Sequence, residues 1–187
     1  MKEVILLGIL ISTYLMVIAK RMPALIRSFR YQSFFLFLAT LAIAWGEDQP
    51  ELYIICGLLF IIKVSLIPYL LYRITNKIKA GQDLGLIVNP QLSLFCALGF
   101  TYLAWIFSAR LFSSLDQALV SIPAVAFFMV LTGLFLMISR ITALAQVVGL
   151  LVMENGLFLL ASTVSGGMPF FVEIAIFFDV FIRVVIL

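Results

Sequence analysis

Long apolar runs separated by short polar breaks set the pattern of this chain. The runs fall at Val4–Ala19, Ser33–Gly46, Leu52–Tyr72, Leu92–Ala109, Leu119–Ser139, Ile141–Val164 and Phe170–Leu187. A helix that crosses the hydrocarbon core of a bilayer needs about 20 predominantly apolar residues. The pattern therefore predicts an all-α, polytopic membrane protein with about seven transmembrane helices. Two of the runs, Ser33–Gly46 and Leu92–Ala109, are short. Flanking side chains such as Arg30 and Arg110 let short spans sit comfortably by extending their charged ends toward the headgroups. The apolar stretch from Ala118 to Val164 is broken only by Arg140. As one helix it would reach roughly 70 Å, more than twice the bilayer core, so it must turn back at Ser139-Arg140.

The first run follows Lys2 and resembles a signal peptide. It lacks a small-x-small cleavage site before Lys20 and Arg21, and reads as a retained span. The stretch Asn76–Gln91 is the long polar segment of the chain. It divides the sequence into an N-terminal three-helix part (1–75), a polar connection (76–91) and a C-terminal four-helix part (92–187). Basic residues collect in alternate loops: Lys20, Arg21, Arg27 and Arg30 in the first, Arg73, Lys77 and Lys79 in the third, and Arg140 in the fifth. The second loop is acidic, with Glu47, Asp48 and Glu51. The positive-inside rule then places the odd loops in the cytoplasm, the amino terminus outside and the carboxyl terminus inside, in a cytoplasmic (inner) membrane.

Composition agrees with this reading. Of 187 residues, 65% are hydrophobic and 11% charged, and the mean hydropathy is +1.24. A soluble domain of this size could not bury so much apolar surface. The seven runs leave no length for a nucleotide-binding fold or a soluble catalytic domain. The chain has no histidine and only two cysteines, Cys56 and Cys96, each isolated in an apolar run. They read as packing residues rather than cluster ligands, since an iron–sulfur cluster usually takes four. The net charge of +3 resides in short loops, where it reports topology rather than nucleic-acid binding.

Five charges lie inside the apolar runs: Lys63, Glu154, Glu173, Asp179 and Arg183. A charge at the bilayer centre costs about 2.5–3.5 kcal/mol on insertion scales, so such residues are candidate functional groups. Lys63 is near the middle of its run. Glu154 lies roughly 20 Å beyond Arg140, and Asp179 is again near the midplane. Glu173 sits closer to the outer surface and Arg183 deeper toward the cytoplasm. Carboxylates in a low dielectric hold protons near neutral pH, and a nearby lysine can exchange charge with them. Lys63, Glu154, Asp179 and Glu173 are therefore candidates for a proton or ion relay. The alternative is that the charges lock helices together. Asp179 and Arg183, spaced i,i+4, fit such a pairing, and Asn155 and Gln146 read as amides that hold helices in register. Gly156 permits close helix approach, and Pro68 loosens the backbone beyond Lys63. Gly166-Gly167-Met168-Pro169 reads as a turn.

The segment VVGLLVMENGLFLL at Val147–Leu160, with MPFFVEIAIFFDVFIRVVIL at Met168–Leu187 and KVSLIP at Lys63–Pro68, resembles the hydrogenase-4 component E family. The C-terminal part of that family is related to the K subunit of respiratory complex I and to the C subunit of Mrp antiporters. The likeness is clearest from about Ser139 to Leu187, and the first three spans have no counterpart in the shorter K subunit. In the K subunit two membrane glutamates form part of a polar axis. The first aligns here with Leu151, with Glu154 about one turn further on, and the second with Asp179. The resemblance implies a non-catalytic membrane-arm subunit of a group 4 hydrogenase or formate hydrogenlyase-type complex. Its nickel–iron centre and iron–sulfur clusters would lie in peripheral hydrogenase subunits, beside other antiporter-like and complex I-like membrane subunits, with no cofactor or metal in this chain. An Mrp-type cation/proton antiporter subunit and a non-conducting scaffold are the competing readings. A stand-alone transporter would be expected to carry an inverted repeat, and none is evident.

Overall fold

A computed structural model describes residues 2–47, 50–78, 84–85, 87–112 and 117–164. The expected last span, with Glu173, Asp179 and Arg183, lies outside them, as does the Gly166–Pro169 turn. Every described element is a helix: α1 Lys2–Ile18, α2 Met22–Glu47, α3 Pro50–Leu59, a π segment Phe60–Leu66, α4 Ile67–Ile78, α5 Pro90–Leu111, α6 Gln117–Ser139 and α7 Ala143–Val164. Four membrane-length apolar spans stand out among them: Cys56–Lys77, Pro90–Leu111, Val120–Ser139 and Ala143–Ser162, with a shorter apolar helix at Glu3–Ile18. The protein is thus all-α and built of membrane-length helices.

Two features depart from the sequence expectation. Arg27 and Arg30 do not sit in a loop. Helix α2 begins at Met22 and carries both on exposed positions. The chain turns sharply after Ile18, so the apolar run of α2 is entered through two helical turns that project basic side chains outward. Similarly, α3, the π segment and α4 follow one another without a break from Pro50 to Ile78, so the third polar connection starts later than Asn76.

The tightest packing is between α6 and α7. A Cβ on Gly133 would lie 2.5 Å from the Met153 amide nitrogen, and one on Gly149 would lie 2.9 Å from the Gly133 carbonyl oxygen. Side chains cannot occupy those positions, so the glycines bring the two backbones into direct contact. The turn between the helices falls at Arg140, where the length argument requires it.

Arg140 does more than mark that turn. Its side chain is 1% exposed. One terminal nitrogen, Nη2, donates to the carbonyls of Val17 and Met16 at 2.8 and 3.3 Å. Those carbonyls end α1, where the last turn lacks intrahelical donors and the helix dipole is negative. Burial lowers the Arg140 pKa from its ordinary value to about 10, which still leaves it charged at neutral pH. Around it the chain makes short backbone links: Leu84 N–H to Lys20 O at 3.2 Å, Ile141 N–H to Gly85 O at 3.1 Å and Ile87 N–H to Ser139 O at 3.1 Å. Gly85 has φ +57°, a left-handed conformation that suits glycine. The first, third and fifth connections therefore meet at one end of the bundle, as an up-and-down path demands.

The glycine contact gives a direct test. Gly149→Ala should lower stability by about 1–3 kcal/mol through overpacking against the Gly133 backbone. Gly99→Ala should be neutral, because its new Cβ meets nothing within 4 Å. Apparent melting temperatures in detergent would separate the two, and equal values would contradict the α6–α7 contact.

Candidate functional site: a buried charged layer

Pro68 shapes the backbone that carries Lys63. It has no N–H to donate and its ring crowds the carbonyl one turn back. The helix answers by widening into the π segment Phe60–Leu66, with the Ile67 N–H reaching the Ile62 carbonyl, five residues back. Lys63 stands at the centre of this widened turn and is 2% exposed.

Its ammonium group is directed at α7. Lys63 Nζ lies 2.7 Å from Glu154 Oε1 and donates to Asn155 Oδ1 at 2.8 Å. Neighbouring residues on a helix point in different directions. The lysine bridges both because an ammonium has three donors. The Phe158 ring, one turn beyond Glu154, has its centroid 5.8 Å from Nζ and adds a cation–π contact. Glu154 is 8% exposed and Asn155 is fully buried.

The bonding continues across two more helices. Asn155 Nδ2 donates to Gln32 Oε1 at 3.3 Å and lies 3.4 Å from Ser33 Oγ. Gln32 Nε2 donates to Thr13 Oγ1 at 2.7 Å, and the Thr13 hydroxyl donates to the Ile9 carbonyl at 2.7 Å. Each donor in turn fixes the orientation of the next amide. The Glu154 carboxylate closes the other end, and its Oε2 has no hydrogen-bond partner among the described residues.

This network forms a layer at one height. On α1, Thr13 lies between Ile9 and Met16. On α2, Gln32 and Ser33 lie between Phe29 and Leu36. On the kinked helix, Lys63 lies between Leu59 and Ile67, and on α7, Glu154 and Asn155 lie between Val152 and Phe158. In every case the first-named and last-named apolar residues belong to two different buried clusters. Helix α6 brings Thr132 to the same register, between Met129 and Leu136. Its hydroxyl is buried and lacks a hydrogen-bond partner among the described residues.

The structure thus joins three of the residues singled out in the sequence, Lys63, Glu154 and Asn155. Gln146 does not cross between helices. It donates to the Arg140 carbonyl at 3.0 Å and closes the α6–α7 turn. Glu173, Asp179 and Arg183 lie outside the described residues. Gln32, Ser33 and Thr13 escaped the sequence reading. Gln32 immediately precedes the expected second span, where an amide reads as loop. An uncharged amide at the edge of an apolar run was the available signal. Chemically, Lys63 and Glu154 are the titratable members of the layer, whereas the amides of Asn155 and Gln32 hold geometry without carrying protons.

No family model matches the chain, and no solved structure matches it. It is similar to the uncharacterized protein Rv0085 of Mycobacterium tuberculosis, with 26% identity over 183 residues, covering 96% of this chain and 82% of that protein.

Removing one partner of a buried ion pair costs about 3–5 kcal/mol, whereas replacing both by apolar groups is often nearly neutral. Lys63→Leu or Glu154→Leu alone should therefore destabilise the protein by about 3–5 kcal/mol. The double variant should recover most of that loss. Additive losses in detergent melting experiments would show that the two groups do not interact.

Proposed function

We propose that this chain is a non-catalytic membrane-arm subunit of a group 4 membrane-bound hydrogenase or formate hydrogenlyase-type complex. In this reading it contributes buried charges to proton or cation translocation, while electrons move through nickel–iron and iron–sulfur centres in partner subunits. The orientation that accompanies it has the odd connections in the cytoplasm, the amino terminus outside and the carboxyl terminus inside. The observation that carries the reading is the Lys63–Glu154 pair at 2.7 Å, held in the interior of a membrane-length bundle on a π segment. Lys63-to-Pro68 and Met153-Glu154-Asn155-Gly156 are also the segments in which the sequence resembles hydrogenase-4 component E.

A scaffold has no need of a titratable pair, since apolar packing or neutral amides hold helices at lower desolvation cost. A relay does need one. When the pair exchanges a proton, both members become neutral, so the charge separation in a low dielectric is reversible. Glu154 supplies the exchangeable proton site and Lys63 the counter-charge. Asp179, expected at similar depth on the next helix, would extend the same axis.

Copurification in mild detergent tests the assembly. Nickel–iron and iron–sulfur subunits should accompany the chain. Antiporter-type subunits without any redox partner would instead make it part of a cation/proton antiporter. Within the intact complex, Glu154→Gln, Asp179→Asn and Lys63→Met should each reduce turnover-coupled ion movement on the order of tenfold or more. Lys63→Arg should rescue poorly, because its proton is practically never released. Full ion movement in the glutamine and methionine variants would leave the layer a structural lock.

A further inference from the structure

A groove of about 710 Å³ opens on the outer surface between α2 and the kinked helix. Arg27 and Arg30 line it from α2, and Ile61, Leu66, Tyr69 and Tyr72 line it from the π segment and α4. The volume is within the roughly 300–1,000 Å³ range of ligand sites. Its chemistry is divided along its length. Arg27 and Arg30 are one helical turn apart, and both are exposed. Neither pairs with a carboxylate among the described residues. Ile61 and Leu66 give an apolar wall, with Ile61 64% exposed.

The position along the bundle is informative. Arg27 lies five residues into α2, roughly 8 Å from its start at Met22. That start adjoins the end of the bundle where Lys20, Leu84 and Ile141 meet. Tyr69 and Tyr72 lie toward the same end of the Cys56–Lys77 span and are 60% and 51% exposed. Tyrosine is enriched where hydrocarbon gives way to headgroups, and long basic side chains reach to the same level. The apolar wall at Ile61 lies deeper. Arg27 and Arg30 sit roughly 8 Å and 3 Å from the level of Gln32 in the charged layer, so they meet a headgroup by extending their side chains toward that end of the bundle. A basic rim that continues into an apolar trough matches one molecule in both parts: an anionic phospholipid. Its phosphate meets a pair of cations, and an acyl chain lies against Ile61 and Leu66.

We propose that the groove between α2 and the kinked helix is a binding site for an acidic phospholipid, with Arg27 and Arg30 holding the phosphate. The site rests on surface geometry and charge alone and holds whether or not the chain belongs to a hydrogenase. The π segment gives it a link to the buried layer. Ser65 and Leu66 border the groove, while Lys63 of the same widened turn faces inward to Glu154. A lipid seated there packs against the backbone that positions Lys63.

The test is native mass spectrometry of the full chain, purified in mild detergent with whatever subunits accompany it. It would be titrated with phosphatidylglycerol or with phosphatidylcholine of the same acyl chains. Phosphatidylglycerol adducts should predominate. Arg27→Gln and Arg30→Gln should each weaken them about fivefold, on the basis that a basic residue near the surface is worth about one such factor. Arg27→Lys/Arg30→Lys should keep the preference, and Arg73→Gln, outside the groove, should leave binding unchanged. Equal binding of the two lipids would overturn the site, as would a phosphatidylglycerol preference that survives the double glutamine variant. So would efficient cross-linking of Tyr69→Cys to a protein subunit in native membranes, which would make the groove a protein interface.

Discussion

The ion pair between Lys63 and Glu154 is the constraint around which the rest of this bundle is arranged. A single charge at this depth is expensive, and two charges are tolerable only when they meet at short range with their remaining valences filled. Both conditions demand precise backbone placement. Lys63 reaches Glu154 and Asn155 together because its helix is widened ahead of Pro68. Asn155 can turn its oxygen to the lysine because Gln32 and Ser33 accept from its nitrogen. Gln32 in turn depends on Thr13. The glycines of α6 and α7 hold the helix that carries Glu154 and Asn155 at backbone contact distance from its neighbour. The pair and the packing are mutually dependent: the bundle exists in this register, and the register satisfies the charges.

Arg140 solves a similar problem at the bundle's end. A tight α6–α7 turn brings a guanidinium to the carbonyl end of α1, where the Val17 and Met16 carbonyls accept from it and the helix dipole is negative. The lengths of the apolar runs forced a turn at this residue but gave no reason to bury it. Topology statistics treat a loop arginine as a marker of sidedness. Here it is also a clamp between the first helix and the last hairpin, next to the links from Leu84, Gly85 and Ile87.

Much of the architecture was legible in the sequence because bilayer thickness and helical rise leave few solutions. Among the described residues apolar length placed four membrane-length spans and a shorter apolar helix, and the stretch from Ala118 to Val164 required the hairpin at Ser139-Arg140. The odd connections were grouped by their charge, and the structure brings three of them together. Lys63 and Glu154 were visible because charge in an apolar run is rare. Their common depth suggested that they could exchange charge, but direct contact was not fixed, since they are separated by 91 residues and their mutual reach depends on helix rotation. Pro68 signalled a loosened backbone but not a π turn, which depends on how the neighbouring helices fill the widened groove. Gln32 and Thr13 were hidden for a different reason. Neutral polar residues at the edge of a span carry little hydropathy signal, and only the contact with Asn155 reveals their role. The start of α2 was misread because long basic side chains at exposed positions can extend toward the headgroups, so Arg27 and Arg30 do not require a loop.

The layered arrangement also constrains the ion-coupling role proposed for the bundle. The charged layer is bounded on both sides by buried apolar clusters, one around Met16, Leu25, Ile67 and Leu151, the other around Ile9, Leu36, Leu59 and Met129. The buried hydroxyls of Ser12 and Thr40, on the helices beside these clusters, donate to carbonyls of their own helices and do not extend the network along the bundle axis. On one flank the layer ends in amides and the Thr13 hydroxyl, bonded in sequence to a backbone carbonyl, which fixes geometry and transfers no charge. Glu154 is on the other flank, with one carboxylate oxygen left without a hydrogen bond among the described residues. Under the proposed reading, a proton exchanged between Lys63 and Glu154 would therefore leave the layer on the carboxylate flank, across the bundle rather than along its axis.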